Sequence, residues 1–107
     1  MFGLQQKHIN AINQCFAQYP SIELVLVYGS RARGNYKNGS DIDLNIIGNL
    51  DYVNLLRLEN QLDDLLLPYK IDLSLRHKIS NPDLLAHIVA EGKVFYEKEN
   101  EPAKTIS

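Results

Sequence analysis

The chain has no tryptophan, one methionine and one cysteine among its 107 residues. A lone Cys15 excludes an intrachain disulfide and a thiolate metal cluster, which fits a reducing compartment. Cys15 falls inside a helical pattern and reads as a small core residue. No apolar run approaches the ~18 residues of a membrane span. The N-terminal MFGLQQKHIN has no apolar signal region, so a cytoplasmic protein is expected. Positive charge is not in excess either: 11 Lys and Arg stand against 13 Asp and Glu, for a net charge of −2. That balance argues against nonspecific nucleic-acid binding through charge alone. The three histidines, His8, His77 and His87, are scattered without an HxxxH spacing, which leaves no zinc site. Neither the phosphate loop GxxxxGK[ST] nor the dinucleotide fingerprint GxGxxG is present, and there is no internal repeat or low-complexity segment.

What is present is a regular alternation of element signals. Leu4, Ile9, Ile12, Phe16 and Tyr19 recur at helical spacing, which predicts an amphipathic helix over about 4–19 that Pro20 ends. IELVLVY, 22–28, reads as a strand buried on both faces. GSRARGNYKNGS, 29–40, is a loop with three glycines. DIDLNII, 41–47, alternates, with Ile42, Leu44 and Ile46 on one face and Asp41, Asp43 and Asn45 on the other. Asp51 can cap a helix to about Leu67, with Leu55, Leu58, Leu62, Leu65 and Leu66 on its buried side. YKIDLSLR, 69–76, alternates again. Asn81-Pro82 opens a last helix that Gly92 stops, and KVFYE makes a final strand. The fold class expected is α+β, a small mixed sheet with helices packed on one face. It forms one domain over 1–97, and the polar tail 98–107 is expected to be disordered.

The chemistry concentrates in one stretch. Residues i and i+2 of a strand share a face roughly 6.5–7 Å apart, so Asp41 and Asp43 aim at a common space. If strand 69–76 lies beside them, Asp72 arrives from about 5 Å to the side. Three carboxylates together repel unless a divalent cation sits among them, and Mg²⁺ prefers such oxygen ligands together with substrate phosphates. Two ions about 3.5–4 Å apart can hold the attacking and leaving oxygens of a phosphoryl displacement. Gly29 lets the backbone approach a ligand, and Ser30 offers a hydroxyl and an N–H. Arg31 or Arg33 could clamp a phosphate. Each piece alone is ordinary: Asp-x-Asp often marks a solvated strand end, Gly-Ser a turn, and the arginines a solvated loop. Their order is less so, because a strand, Gly-Ser, ten residues, Asp-x-Asp on a strand and a later strand aspartate describe a nucleoside triphosphate site.

Gly29-Ser30 followed by Asp41-Ile42-Asp43 resembles the signature of the DNA polymerase beta-like nucleotidyltransferase superfamily. The fuller GSRARGNYKNGSDIDL resembles its minimal nucleotidyltransferases, over about residues 4–96. The resemblance implies that Asp41 and Asp43 ligate two Mg²⁺ ions. It implies that Asp72 is the third carboxylate and the base toward the acceptor hydroxyl, and that Gly29, Ser30 and Arg33 lie at the triphosphate of ATP. It also implies a helical partner of the HEPN class: the partner is a ribonuclease toxin, and the transferase is the antitoxin that adenylylates one of its tyrosines. The short chain leaves little room for an acceptor-binding domain, so the acceptor is expected on another protein, in a homo- or hetero-oligomeric arrangement the sequence leaves open.

Two other functions fit parts of the pattern. One is a binding-only antitoxin that holds nucleotide without turnover, and the other is a nucleotidyltransferase acting on a small molecule such as an antibiotic. Outside the motif, Arg76-His77-Lys78 reads as a solvated basic turn able to meet an acidic partner or the nucleotide. Tyr28 reads as core, and Tyr36 as a loop side chain with base stacking as its alternative.

Overall fold

The computed structural model describes residues 1–37 and 39–99. Helix α1 (Gln6–Ala17) is shorter than the predicted span, and Leu4 and Tyr19 are buried just outside its ends. Strand β1 (Ile22–Tyr28) follows, and after Gly29 comes a four-residue helix, α2 (Ser30–Arg33), inside the predicted loop. Strand β2 (Ile42–Gly48) leads to helix α3 (Tyr52–Asp63), whose first turn is capped by the Asp51 carboxylate accepting from Asn54 N at 2.8 Å. Strand β3 (Ile71–Leu75) ends in a 3₁₀ turn, Arg76–Lys78. Helix α4 (Pro82–Glu91) is capped by Asn81, and strand β4 (Lys93–Glu97) completes the domain. From residue 100 on, the expected tail lies outside the described residues.

One expectation about α3 fails. The helix stops at Asp63, and Leu66 has φ 54° and is 87% exposed, so it is not on the buried side. Pro68 disfavours helical geometry at Leu67, so the helix could not have run through its predicted end.

The sheet order is β3-β2-β1-β4. β1 is antiparallel to both β2 and β4, and β2 is parallel to β3 through the α3 crossover. The sheet is therefore mixed, in an α+β domain. Ile42, Leu44 and Ile46 of β2 and Val25 and Val27 of β1 have no solvent exposure. They share one core with Ile12 and Phe16 of α1 and Leu58 and Leu62 of α3. Fully burying each such side chain contributes about 1.5–3 kcal/mol. Tyr19 ties the two helices together, its hydroxyl donating to Gln61 Oε1 at 2.6 Å. With one face committed to this core, Asp43, Asn45, Asp72 and Ser74 stand on the other. Among the described residues no helix is long and apolar enough to cross a membrane.

Candidate active site

Strand register, not loop chemistry, brings the carboxylates together. Tyr28 pairs with Asp43 across β1 and β2, and Asp43 pairs with Asp72 across β2 and β3. One row of three strands thus carries a phenol and two carboxylates on one face. Asp41 stands just ahead of β2, exposed, and Asp72 is exposed on the edge strand. The crowding is felt electrostatically. Burial raises the Asp43 carboxyl above its ordinary value, the charges of Asp72 and Asp41 raise it further, and Arg33 pulls the other way. Burial likewise raises the Tyr28 hydroxyl, with Asp43 and Asp72 adding to it and Ser74 opposing as a hydrogen-bond partner. Among the described residues no three acidic, histidine or cysteine side chains are grouped closely enough to hold a metal ion as they stand. The donor set is nonetheless what a hard cation takes: carboxylate oxygens of like charge, two from adjacent strands and one two residues away.

Gly29 closes one side of this row. It has φ 75° and ψ −153°, a backbone region that is essentially glycine-only. A Cβ there would lie 2.6 Å from Asp43 Oδ2, so the main chain runs directly against the carboxylate. α2 starts at once with Ser30, and its turn is held by Arg33 N donating to Gly29 O at 3.1 Å and Gly34 N to Ser30 O at 2.9 Å.

The two loop arginines have different fates. Arg31 is 2% exposed and cannot clamp a phosphate. Its Nη1 donates to Phe2 O at 2.9 Å, and its Nη2 and Nε donate to Ser40 O at 2.9 and 3.2 Å. The guanidinium lies over the Tyr36 ring at 5.1 Å and the Tyr69 ring at 5.0 Å. It pins the residue next to Asp41, so its service to the site is to fix the loop. Tyr36 is engaged with it, at 36% exposure. Arg33 is exposed, bonded through Nη1 to Glu91 at 3.2 Å, and its charge reaches Asp43. Gly29, Ser30, Arg33, Asp41, Asp43 and Asp72 thus all belong to the end of the sheet where β1 stops and β2 begins. Cys15 is buried, and burial raises its thiol, as a core residue's should.

Residue-by-residue reading missed a second polar row. Asn45 has no exposure. Its Nδ2 donates to Ser74 Oγ at 3.0 Å, and its Oδ1 accepts from Arg76 Nε at 2.8 Å. The signal was present in the sequence: an asparagine between apolar residues in a central strand needs partners, and Ser74 and Arg76 alternate with Asp72 on the neighbouring strand. A separate groove between α3 and β3, lined by Leu56, Asn60, Leu67, Tyr69 and Ile71, contains none of these side chains.

No curated protein matches the chain. Solved structures share its fold. A chain of the crystal structure of a toxin-antitoxin with AMP-PNP superposes with a TM-score of 0.68 at 23% identity, over 85% of this chain and 74% of that one. A chain of the MntA-HepT toxin-antitoxin superposes at 0.65 with 23% identity, over 88% and 74%. A chain of the complex of the tri-AMPylated Shewanella oneidensis HEPN toxin with its MNT antitoxin superposes at 0.65 with 22% identity, over 89% and 74%. The family model described as polymerase beta, nucleotidyltransferase, matches residues 10–101. With that match covering most of its length, the chain belongs to the polymerase beta nucleotidyltransferase family.

Proposed function

We propose that this protein is a Mg²⁺-dependent adenylyltransferase that moves AMP from ATP to a tyrosine hydroxyl of a helical HEPN-class toxin, and acts as that toxin's antitoxin. The observation that carries the reading is the in-register pair Asp43–Asp72 with the Gly29 main chain held against Asp43. Three of the structures that share the fold are toxin–antitoxin complexes, one with AMP-PNP and one with an AMPylated HEPN toxin. They support the choice of nucleotide and partner.

Gly29 and Ser30 hold the triphosphate, with Arg33 beside it. Asp41, Asp43 and Asp72 are the ligands for Mg²⁺, which when bound neutralises the phosphate charge and aligns the two exchanging oxygens. Asp72, on the edge strand and open to solvent, accepts the proton of the incoming hydroxyl. The acceptor oxygen forms a bond to the α-phosphorus. The bond from that phosphorus to the oxygen bridging to the β-phosphate breaks, and pyrophosphate departs with the electron pair. Cytoplasmic action follows from the ATP requirement.

The test is incubation with ATP labelled at the α-phosphate, Mg²⁺ and the product of the adjacent gene. Label is expected on a partner tyrosine, and Asp41→Asn should abolish it. A partner left unlabelled while still neutralised would replace this reading with a binding-only antitoxin. Labelled antibiotic with no labelled protein would replace it with a small-molecule transferase.

A further inference from the structure

Arg31 and Asn45 are the two buried polar or charged side chains among the described residues. Arg31 is consumed by the loop it pins. Asn45 does something different, because the side chain it holds is only half-buried. Its amide is satisfied at both ends, and the orientation is not ambiguous: an arginine Nε can only donate, so the amide oxygen must face Arg76. The buried asparagine therefore holds the half-buried Arg76 by the inner corner of its guanidinium, and Ser74 braces the asparagine from β3. Among the described residues the two terminal amino groups of Arg76 donate to no protein acceptor, and Arg76 is in no ion pair. A planar fork with its inner nitrogen fixed and its outer edge free suits a carboxylate.

Its place in the sheet says whose carboxylate. The Gly29-Ser30 turn follows β1, Asp43 is on β2, and Asp72 and Arg76 lie on and just beyond β3. If phosphates sit at the first of these and Asp72 receives the acceptor, Arg76 is on the acceptor's side. Asn45 lies two residues from Asp43, roughly 6.5–7 Å along β2, and an extended segment advances about 3.3 Å per residue. A group bound at Arg76 is thus two to three residues from a hydroxyl facing Asp72. The exposed His77 and Lys78 continue the basic turn. A protein acceptor is favoured over nucleic acid, since the chain as a whole carries a net charge of −2.

We propose that Arg76, positioned by the buried Asn45, forms an acceptor subsite that binds an acidic side chain two to three residues from the modified hydroxyl of a protein acceptor. The proposal rests on the nucleotidyl-transfer reading above. Its test uses two labelled synthetic peptides, one with a tyrosine flanked at the third residue on each side by glutamate, the other with glutamine there. Binding to the full chain is read by fluorescence anisotropy. The glutamate peptide should bind about tenfold tighter, as a charge-assisted pair at a partly buried site implies. Arg76→Gln should erase the preference without moving the melting shift produced by Mg²⁺ and AMP-PNP. Asn45→Asp should erase it too, by pairing with the guanidinium. Equal binding of both peptides by the wild-type chain overturns the proposal, as does a preference that survives Arg76→Gln. A nucleotide shift that collapses in Arg76→Gln also overturns it, because the arginine would then serve ATP. Failure of the transfer reading looks different: the glutamate preference persists while the partner protein takes no label.

Discussion

β2 carries two faces that are differently used, and on the working face Asn45 is hidden as fully as the core side chains while Asp43 is half-buried. Ile42, Leu44 and Ile46 have no exposure, and neither does Asn45, which alternates with them. Burial alone therefore does not tell Asn45 from the core face. What separates the two faces is what each group demands of its neighbours. The aliphatic side chains ask for volume, which α1 and α3 supply. Asn45 asks for directed hydrogen bonds, and Asp43, raised by burial and then by Asp72 and Asp41 with only Arg33 opposing, asks for countercharge. The core face can be repacked by size, whereas the working face is defined atom by atom.

The sharpest way to break that contrast is to alter adjacent residues of the same strand. On the proposed reading Asp43 is a metal ligand, and Asp43→Asn should then strongly lower the transfer rate. Its melting temperature should hold or rise, because a desolvated charge among like charges is removed. Leu44→Ala should do the reverse, costing about 2–5 kcal/mol in urea unfolding while the folded fraction keeps its activity. If Asp43→Asn unfolds the protein, the working face is structural and the contrast is lost.

The two arginines of the loop repeat the comparison on a smaller scale. Arg31→Met strips Phe2 O and Ser40 O of their donors and should cost on the order of 3 kcal/mol. Arg33→Met removes an exposed ion pair with Glu91 and should cost less than about 1 kcal/mol. Chemical denaturation of the pair checks this, and a difference below the experimental error would mean that Arg31 is not the pin of the loop.

Gly29 stands where the faces meet. Gly29→Ala forces an alanine into a glycine-only backbone region and drives its Cβ into the Asp43 carboxylate, so a loss of about 1–3 kcal/mol is expected. Nucleotide affinity should fall with it. A Gly29→Ala protein that melts like wild type and binds AMP-PNP normally would show that the turn is not pressed against the carboxylate as described.

Much of this was legible from residue order. Alternation in DIDLNII and IDLSL marked both strands and put Asp43 and Asp72 on their polar sides. Asn81-Pro82 and Asp51 gave the caps observed. What stayed hidden depended on three-dimensional partners. Arg31 and Arg33 are two residues apart in a polar loop, and nothing local says that one will be enclosed by Tyr36 and Tyr69. Leu66 continued the helical stripe on paper, but the helix ends at Asp63 and leaves it exposed. Asn45 was placed on the face of Asp41 and Asp43, but its burial stayed hidden, because alternation reports the face of a strand and not what covers it.

The smallest effect tests the electrostatic half of the contrast. In metal-free protein the Asp43 carboxyl is raised by burial first and by Asp72 and Asp41 next. A raised folded value means that the native state holds this proton more tightly than the unfolded chain does. Its contribution is fully present below the unfolded value of about 3.9, and is lost as pH climbs through the higher folded value. The melting temperature of Asp43→Asn, compared with wild type in chelator, should therefore gain on it across that window and level off above it. Added Mg²⁺ should shrink the gap by stabilising the ionised cluster in the wild type alone. A gap that is constant with pH would mean that Asp43 titrates alike in the folded and unfolded chain, and that the repulsion on this face is already relieved by the protein itself.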